Sequence, residues 1–372
     1  MSLQFITGNS GNGKTKYLFN RIVKEAKANP RDNYLVIVPE QFTMQTQRQL
    51  VDLSENKAIM NIDVLSFKRL AYRVFDELGI TNLTVLEETG KNLVLRKLAA
   101  QEADKLGVIG RNLNRIGYIS EVKSLLSELV QYNISPEELG RYIASGRLSD
   151  TLSDKLKDVL VLYEAFEKFM QDKYITAEEI LNELSNVAEE SAILRNSVIA
   201  FDEFTGFTPI QNQLIKKLFV ISKKIYVTLT IDCREDIFKS RGMQELFDMP
   251  KRTVKSLTEM AAFYGIEVEE PIILDKNYRL AENEELSFME QQLFRKRRGS
   301  FKKAPKHIHI DCLRDPKQEL TKIARRINEL VRNENLRYRD IAIVTGDVNI
   351  YAGYVREIFD KYNIPYFIDA TD

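Results

Sequence analysis

The chain has 372 residues, a length beyond one typical compact core, which predicts about two or three domains. Its 54 lysines and arginines balance 54 aspartates and glutamates, so no overall basic field marks a nucleic-acid binder, and any such surface must be a local patch. Only Cys233 and Cys312 occur, far apart and without C-x-x-C spacing; this fits a reducing cytosol better than a disulfide scaffold, and with no leader or bilayer-length apolar run it predicts a cytoplasmic protein without membrane contact.

The first predicted unit is FITGNSGNGKTKYLFNRI. Gly8, Gly13, Lys14 and Thr15 fit G-x-x-x-x-G-K-S/T, with Gly11 inside the loop. The flank LQFIT reads as a strand, and KYLFNRIVKEA as a helix with Leu18, Ile22 and Ala26 on one face. The chemistry expected is that of a phosphate cradle: backbone N–H groups turned toward a phosphate, Lys14 neutralising its charge, Thr15 ligating Mg²⁺, and the helix N-terminus adding a positive field. The bland alternative is a Gly/Asn-rich turn.

NPRD then breaks the helix, and YLVIVPEQ follows as an apolar strand ending at Pro39 with Glu40 and Gln41 after it, a βαβ unit typical of a parallel sheet. NIDVLSFKRLAYRVFDELG predicts a short strand to about Leu65 and a helix burying Phe67, Leu70, Ala71 and Phe75. From Thr84 to Leu194 the pattern is helical throughout, with no convincing strand, so residues 84–194 are expected to form a helical domain inserted into an α/β core of residues 1–83 and 195–295.

The core resumes at SVIAFDEF, a strand delivering Asp202 and Glu203 at its carboxyl end, where open α/β sheets bind ligands. With the phosphate loop upstream the pair reads as a Walker B site, Asp202 holding Mg²⁺ and Glu203 positioning water; a helix-capping acid is the alternative. PIQNQLIKKLF is a helix, KIYVTLTIDC a strand, and a long helix begins near Thr253. In LDKNYRL, Arg279 is a candidate γ-phosphate contact. FRKRRGSFKKAPKH then places seven cations between Phe294 and His307, either a solvated linker or a nucleic-acid backbone contact through Arg295, Arg297 and Arg298. Residues 296–372 hold a strand, KHIHIDCL, a helix, KQELTKIARRINELVRNE, and a strand, DIAIVTGD, the start of a second α/β unit. Alternation on the first strand explains His307 and His309 better than metal ligation with Cys312 does.

This order of elements resembles superfamily 1 DNA helicases, in which a RecA-like P-loop domain carries a helical insertion and a second RecA-like domain follows. GNSGNGKTKYLFNRI, YLVIVPEQFTMQTQRQL, VLSFKRLAYRVF, FDEFTGFTPIQNQLIKKL and YRDIAIVTGD are more specifically similar to the amino-terminal region of the AddB/RexB family, the B-type subunits of the bacterial ATP-dependent helicase/deoxyribonuclease. The resemblance implies ATP and Mg²⁺ at Gly8, Gly11, Gly13, Lys14, Thr15, Asp202 and Arg279. It implies single-stranded DNA at Gln41, Ser66 and Phe67, with Phe42, like Phe67, an aromatic expected to contact the strand, and an AddA-type motor protein as heterodimeric partner. Full-length members end in a nuclease domain with an iron–sulfur cluster, neither of which maps onto any residue here, and the chain is expected to be a fragment.

The departures from active helicases are informative. Those enzymes follow Asp-Glu with a γ-phosphate-sensing glutamine, where this chain has Phe204, Thr205 and Gly206; TIDCREDIF offers Asp232 where they carry a GD-x-x-Q loop; their adenine-reading glutamine lies well upstream, and only seven residues precede Gly8. The resemblance therefore implies a nucleotide-holding module that scans the unwound strand for a Chi-type sequence in double-strand break resection and recombinational repair, while the AddA-type partner drives. The rivals are an active superfamily 1 translocase, with Glu203 catalytic, and a P-loop phosphoryl-transfer kinase.

Overall fold

The computed structural model describes residues 1–81, 84–108, 110, 116–146, 148–171, 174–176, 178–295 and 299–369. It divides into two compact units, Met1–Glu284 with Phe294–Lys296, and Glu285–Leu293 with Arg297–Asp372.

The first unit is built on a seven-stranded sheet in which every pairing is parallel. In chain order its elements begin β1 (Ser2–Gly8), α1 (Lys14–Ala28), β2 (Tyr34–Ile37), α2 (Thr43–Leu53), β3 (Ile62–Leu65) and α3 (Phe67–Leu78). A helical region follows: β4 (Val85–Leu86), α4 (Glu88–Gln101), α5 (Ile116–Gln131), α6 (Pro136–Ala144), α7 (Asp150–Met170) and β5 (Ile175–Thr176). The chain returns through α8 (Ile180–Val187), β6 (Val198–Phe201), α9 (Pro209–Ile221), β7 (Lys224–Thr230), α10 (Asp248–Phe263), β8 (Glu267–Val268) and β9 (Ile272–Leu274). The strand order is β3-β2-β6-β7-β1, with β8 and β9 both against the outer side of β1. Pro271, which lacks an N–H for the ladder, lies between these two short strands.

Period-two alternation sorts the strand residues onto two faces. Leu3, Phe5, Leu35, Ile37, Ile199, Phe201, Ile225 and Val227 share one core with α3, α8, α9 and α10. Ile6, Tyr34, Val36, Val198, Ala200 and Tyr226 share the other with α1 and Leu50 of α2. The sheet is thus sandwiched between helical layers, which explains its near-continuous apolar strands.

Helices α4 to α7 bury a separate cluster that includes Leu95, Val122, Leu126, Leu162 and Phe166. Buried Lys91 lies 2.7 Å from Glu178 and 3.0 Å from Glu88. Two features differ from the sequence expectation. The strand pair β4–β5 lies where a strand-free stretch is predicted; with two residues per strand it is too short to leave a period. Helix α8, which periodicity groups with the helices before it, packs Ile180, Leu181 and Leu184 into the core of the sheet.

The second unit contains nearly all of α11 (Glu284–Gln292), together with α12 (Pro316–Asn333) and α13 (Val348–Lys361). Leu320, Ala324, Ile327, Ile358 and Phe359 form its core. The strands predicted at KHIHIDCL and DIAIVTGD are absent among its described residues: both segments lack a ladder partner, and Ile310 and Val344 are more than nine-tenths exposed. A strand exists only by pairing, and alternation in one segment cannot supply the neighbour. Among the described residues no helix is long and apolar enough to cross a membrane.

Candidate functional site

The phosphate-loop residues follow β1, which lies between β7 and the short edge strands β8 and β9. Gly13, the residue before α1, has φ 80°, a left-handed conformation that glycine accepts without a Cβ penalty. A Cβ on Gly8 would stand 2.5 Å from the Leu274 carbonyl oxygen, so close approach of β9 requires glycine there. The half-buried Lys14 curls back, its Nζ donating to the carbonyls of Gly8 and Asn9 at 3.0 Å each. Burial lowers its pKa despite the opposing charges of Asp202 and Glu203.

Asp202 and Glu203 emerge from β6 beside the loop. Thr15 Oγ1 lies 3.3 Å from Asp202 Oδ1 and 3.3 Å from Glu203 Oε1. Thr228 also donates to Asp202 Oδ1, whereas Asp202 Oδ2 is buried without a partner. Burial raises the Asp202 pKa, and the nearby Glu203 charge adds to the rise. Glu203 is exposed and has φ 64°, a backbone region that a side chain with a Cβ rarely occupies.

The NYR segment closes over the loop. The Tyr278 and Arg279 amides point to the Gly11 carbonyl at 3.0 and 3.4 Å, Asn277 Nδ2 donates to the Ser10 carbonyl at 2.9 Å, and Arg279 Nη1 lies 3.2 Å from Ser10 Oγ. These groups border a cavity of about 730 Å³, lined by Gly11, Gly13, Lys14, Thr15, Asp202, Glu203, Tyr278 and Arg279, with Phe204, Phe19 and Gln49 farther along. All the residues expected to hold nucleotide thus converge on it except Gly8, which lies behind it and accepts from Lys14. Tyr278, 64% exposed, lines this cavity although the motifs do not mark it; its position beside Arg279 was the available signal.

A second cavity, also of about 730 Å³, opens at the carboxyl ends of β2 and β3 and is lined by Pro39, Glu40, Ser66, Phe67, Lys68, Arg69, Tyr72, Phe204 and Gln211. Ser66 caps α3 by accepting from the Arg69 amide at 3.2 Å and donates to Glu40, whose other oxygen lies 3.0 Å from Arg69 Nε. Of the predicted DNA residues, Ser66 and Phe67 line this groove, and Gln41 is exposed just after Glu40. Phe42 instead packs, half-buried, against the α1 face core. Phe67 is only 7% exposed, its ring engaged by Phe201, Phe204 and Phe207. Arg69 and Tyr72, which no motif singles out in the sequence, are exposed members, as are Glu40 and Lys68. The FTP turn that distinguishes the next segment is a helix start: Thr208 accepts from the Gln211 amide, the Gln211 side chain accepts from the Thr208 amide, and Pro209 opens α9.

The cation run requires a correction. Arg295 does not present itself to a DNA backbone: its side chain is 9% exposed, with Nε 2.9 Å from Asp232 and the guanidinium 4.8 Å above the Phe247 ring. Arg234 Nε binds the same carboxylate at 2.7 Å. Burial would raise the Asp232 pKa, but the guanidiniums outweigh it and hold the carboxyl below its usual range. Arg297 and Arg298 lie outside the described residues. Glu285 accepts from the His307 amide at 2.8 Å, and no group of three or more potential metal ligands occurs among the described residues.

Residues 5–290 match the family model described as "ADDB, N-terminal". The chain is 38% identical over 374 residues to the B-type subunit of an ATP-dependent helicase/deoxyribonuclease from Lachnoclostridium phytofermentans, covering 99% of this chain and 32% of that protein. Proteins of the same name from Clostridioides difficile and Clostridium tetani are 34% and 33% identical, with the same coverage. The chain therefore spans about a third of the length of the curated relatives it matches.

Proposed function

Because the chain belongs to the AddB amino-terminal family, we propose that it is the helicase-like, nucleotide-binding and DNA-scanning part of an AddB-type protein, acting in double-strand break resection and recombinational repair. In this reading the seven-stranded unit is a RecA-like P-loop domain carrying α4 to α7 as an insertion. Its relatives are named as subunits, which implies a partner, and the partner in this reading is an AddA-type motor in the cytoplasm.

The observation that carries the reading is the unpartnered Asp202 Oδ2, buried next to the Thr15 hydroxyl at the phosphate loop. A buried carboxylate oxygen without a donor is costly, and it fits the water shell of a divalent cation. Thr15 and Asp202 would hold Mg²⁺, Lys14 and Arg279 the phosphates, and Tyr278 would offer its exposed ring to a base. Mg²⁺ with ATP supplies the charge and phosphate that such a cradle is built to grip. The groove at Glu40, Arg69 and Tyr72 is the scanning surface for a single strand.

Holding rather than hydrolysis is the expected outcome. Thr205 stands where a coupling glutamine acts, and its carbonyl accepts from Thr253 Oγ1 at 3.1 Å. Phosphate release should fall far below the roughly 1–10³ s⁻¹ typical of enzymes, with little stimulation by single-stranded DNA, and Glu203→Gln should barely alter binding of a fluorescent Mg·ATP analogue. Robust DNA-stimulated turnover that Glu203→Gln abolishes would make the chain a motor instead. For the groove, Arg69→Ala should flatten the slope of log affinity for oligo-dT against log salt by about 0.7, one phosphate contact on a single strand. An unchanged slope would remove Arg69 from the DNA path.

A further inference from the structure

Among the described residues, Phe204 is the one common to the linings of the two cavities. It follows Glu203, whose left-handed backbone is held while Thr15 shares its hydroxyl between Asp202 and Glu203. Its ring lies 5.5 Å from Phe67, 5.3 Å from Phe207 and 6.2 Å from Phe201. Phe67 and Phe201 are buried and fixed in the core, whereas Phe204 is partly exposed. Phe67 is also the first residue of α3, whose opening turn carries Arg69.

We propose that Phe204 is the positioning residue through which occupancy of the nucleotide cavity sets the affinity of the groove for a DNA strand, and the reverse. The inference rests on the functional reading above. When a phosphate-bound cation takes the Thr15 hydroxyl, Glu203 loses a hydrogen bond that helps hold its rare conformation. Any turn of that backbone carries Phe204 with it. Because Phe67 and Phe201 are close-packed in the core, the displaced ring changes the groove wall rather than being absorbed there. The coupling must be reciprocal, since both ligands bias the same two arrangements.

The test measures oligo-dT affinity of the full chain with and without a saturating non-hydrolysable Mg·ATP analogue, and analogue affinity with and without oligo-dT. The expected mutual change is about 5–150-fold in wild type. Phe204→Ala should bring that ratio close to one, and Phe204→Leu, which keeps apolar bulk and guards against misfolding, should reduce it substantially. Each ratio is taken within one variant, so a lost wall contact cancels. Phe207→Leu perturbs the same aromatic cluster without touching either lining and should keep the wild-type ratio. Equal loss in Phe207→Leu and Phe204→Leu, or an undiminished ratio in Phe204→Ala, would overturn the proposal. Independent binding of the two ligands in wild type would overturn it while leaving the functional reading intact; failure to bind nucleotide at all would overturn both.

Discussion

Asp232→Ala should destabilise the first unit by about 3–5 kcal/mol in denaturant unfolding, because it removes the buried carboxylate that Arg295 and Arg234 share. Asp232 is 2% exposed and receives Arg234 Nε at 2.7 Å, the Arg234 amide at 3.0 Å and Arg295 Nε at 2.9 Å. Deleting one member of such a cluster costs more than the cluster contributes, since the remaining guanidinium keeps its desolvation penalty. Replacing both partners with apolar residues, Asp232→Leu with Arg295→Met, should therefore recover most of the loss. A single mutant within experimental error of wild type would show that the ion pair is dispensable. The pH dependence has a defined sign: the folded Asp232 pKa is depressed, so its contribution is fully present above the unfolded value of about 3.9 and is lost as pH falls through the lower folded value. Asp232→Ala should lack that acid-dependent component.

Lys14→Ala should weaken binding of a fluorescent Mg·ATP analogue roughly tenfold to a hundredfold, the loss of a charge-assisted interaction of about 1.5–3 kcal/mol. In the structure Nζ already holds two loop carbonyls, of Gly8 and Asn9. The ammonium is therefore placed before any ligand arrives, and little is spent on ordering it. Removing it also frees those carbonyls, so a melting curve on the same sample separates loop collapse from lost phosphate contact. An unchanged analogue affinity would dismiss the loop as the nucleotide site.

What could be read from the sequence was whatever is encoded locally. The spacing from Gly8 to Thr15 constrains one turn between one strand and one helix, and the unbroken apolar run Leu35, Val36 and Ile37 assigns β2 to a doubly covered sheet. What escaped depends on residues distant in the chain. Arg295 looks like one cation in a solvated run until Asp232, 63 positions earlier, buries it. Phe67 looks available for a base until Phe201, Phe204 and Phe207 arrive to cover it. The short β8 and β9 are strands only because β1 is there to pair with them.

The position of β1 in the sheet has a consequence for biosynthesis. This strand leaves the ribosome long before its neighbours, Lys224–Thr230 on one side and Glu267–Val268 with Ile272–Leu274 on the other. At translation rates of about 5–20 residues per second, Leu3, Phe5 and Ile6 wait roughly ten to fifty seconds before both neighbours exist. Such long-range parallel pairing also slows closure after release, because the entropy of the large loop is spent before any contact rewards it. During that interval nascent β1 is an apolar segment with bare edges, so yield of the protein should depend on trigger-factor-type holding chaperones more than its final stability would indicate.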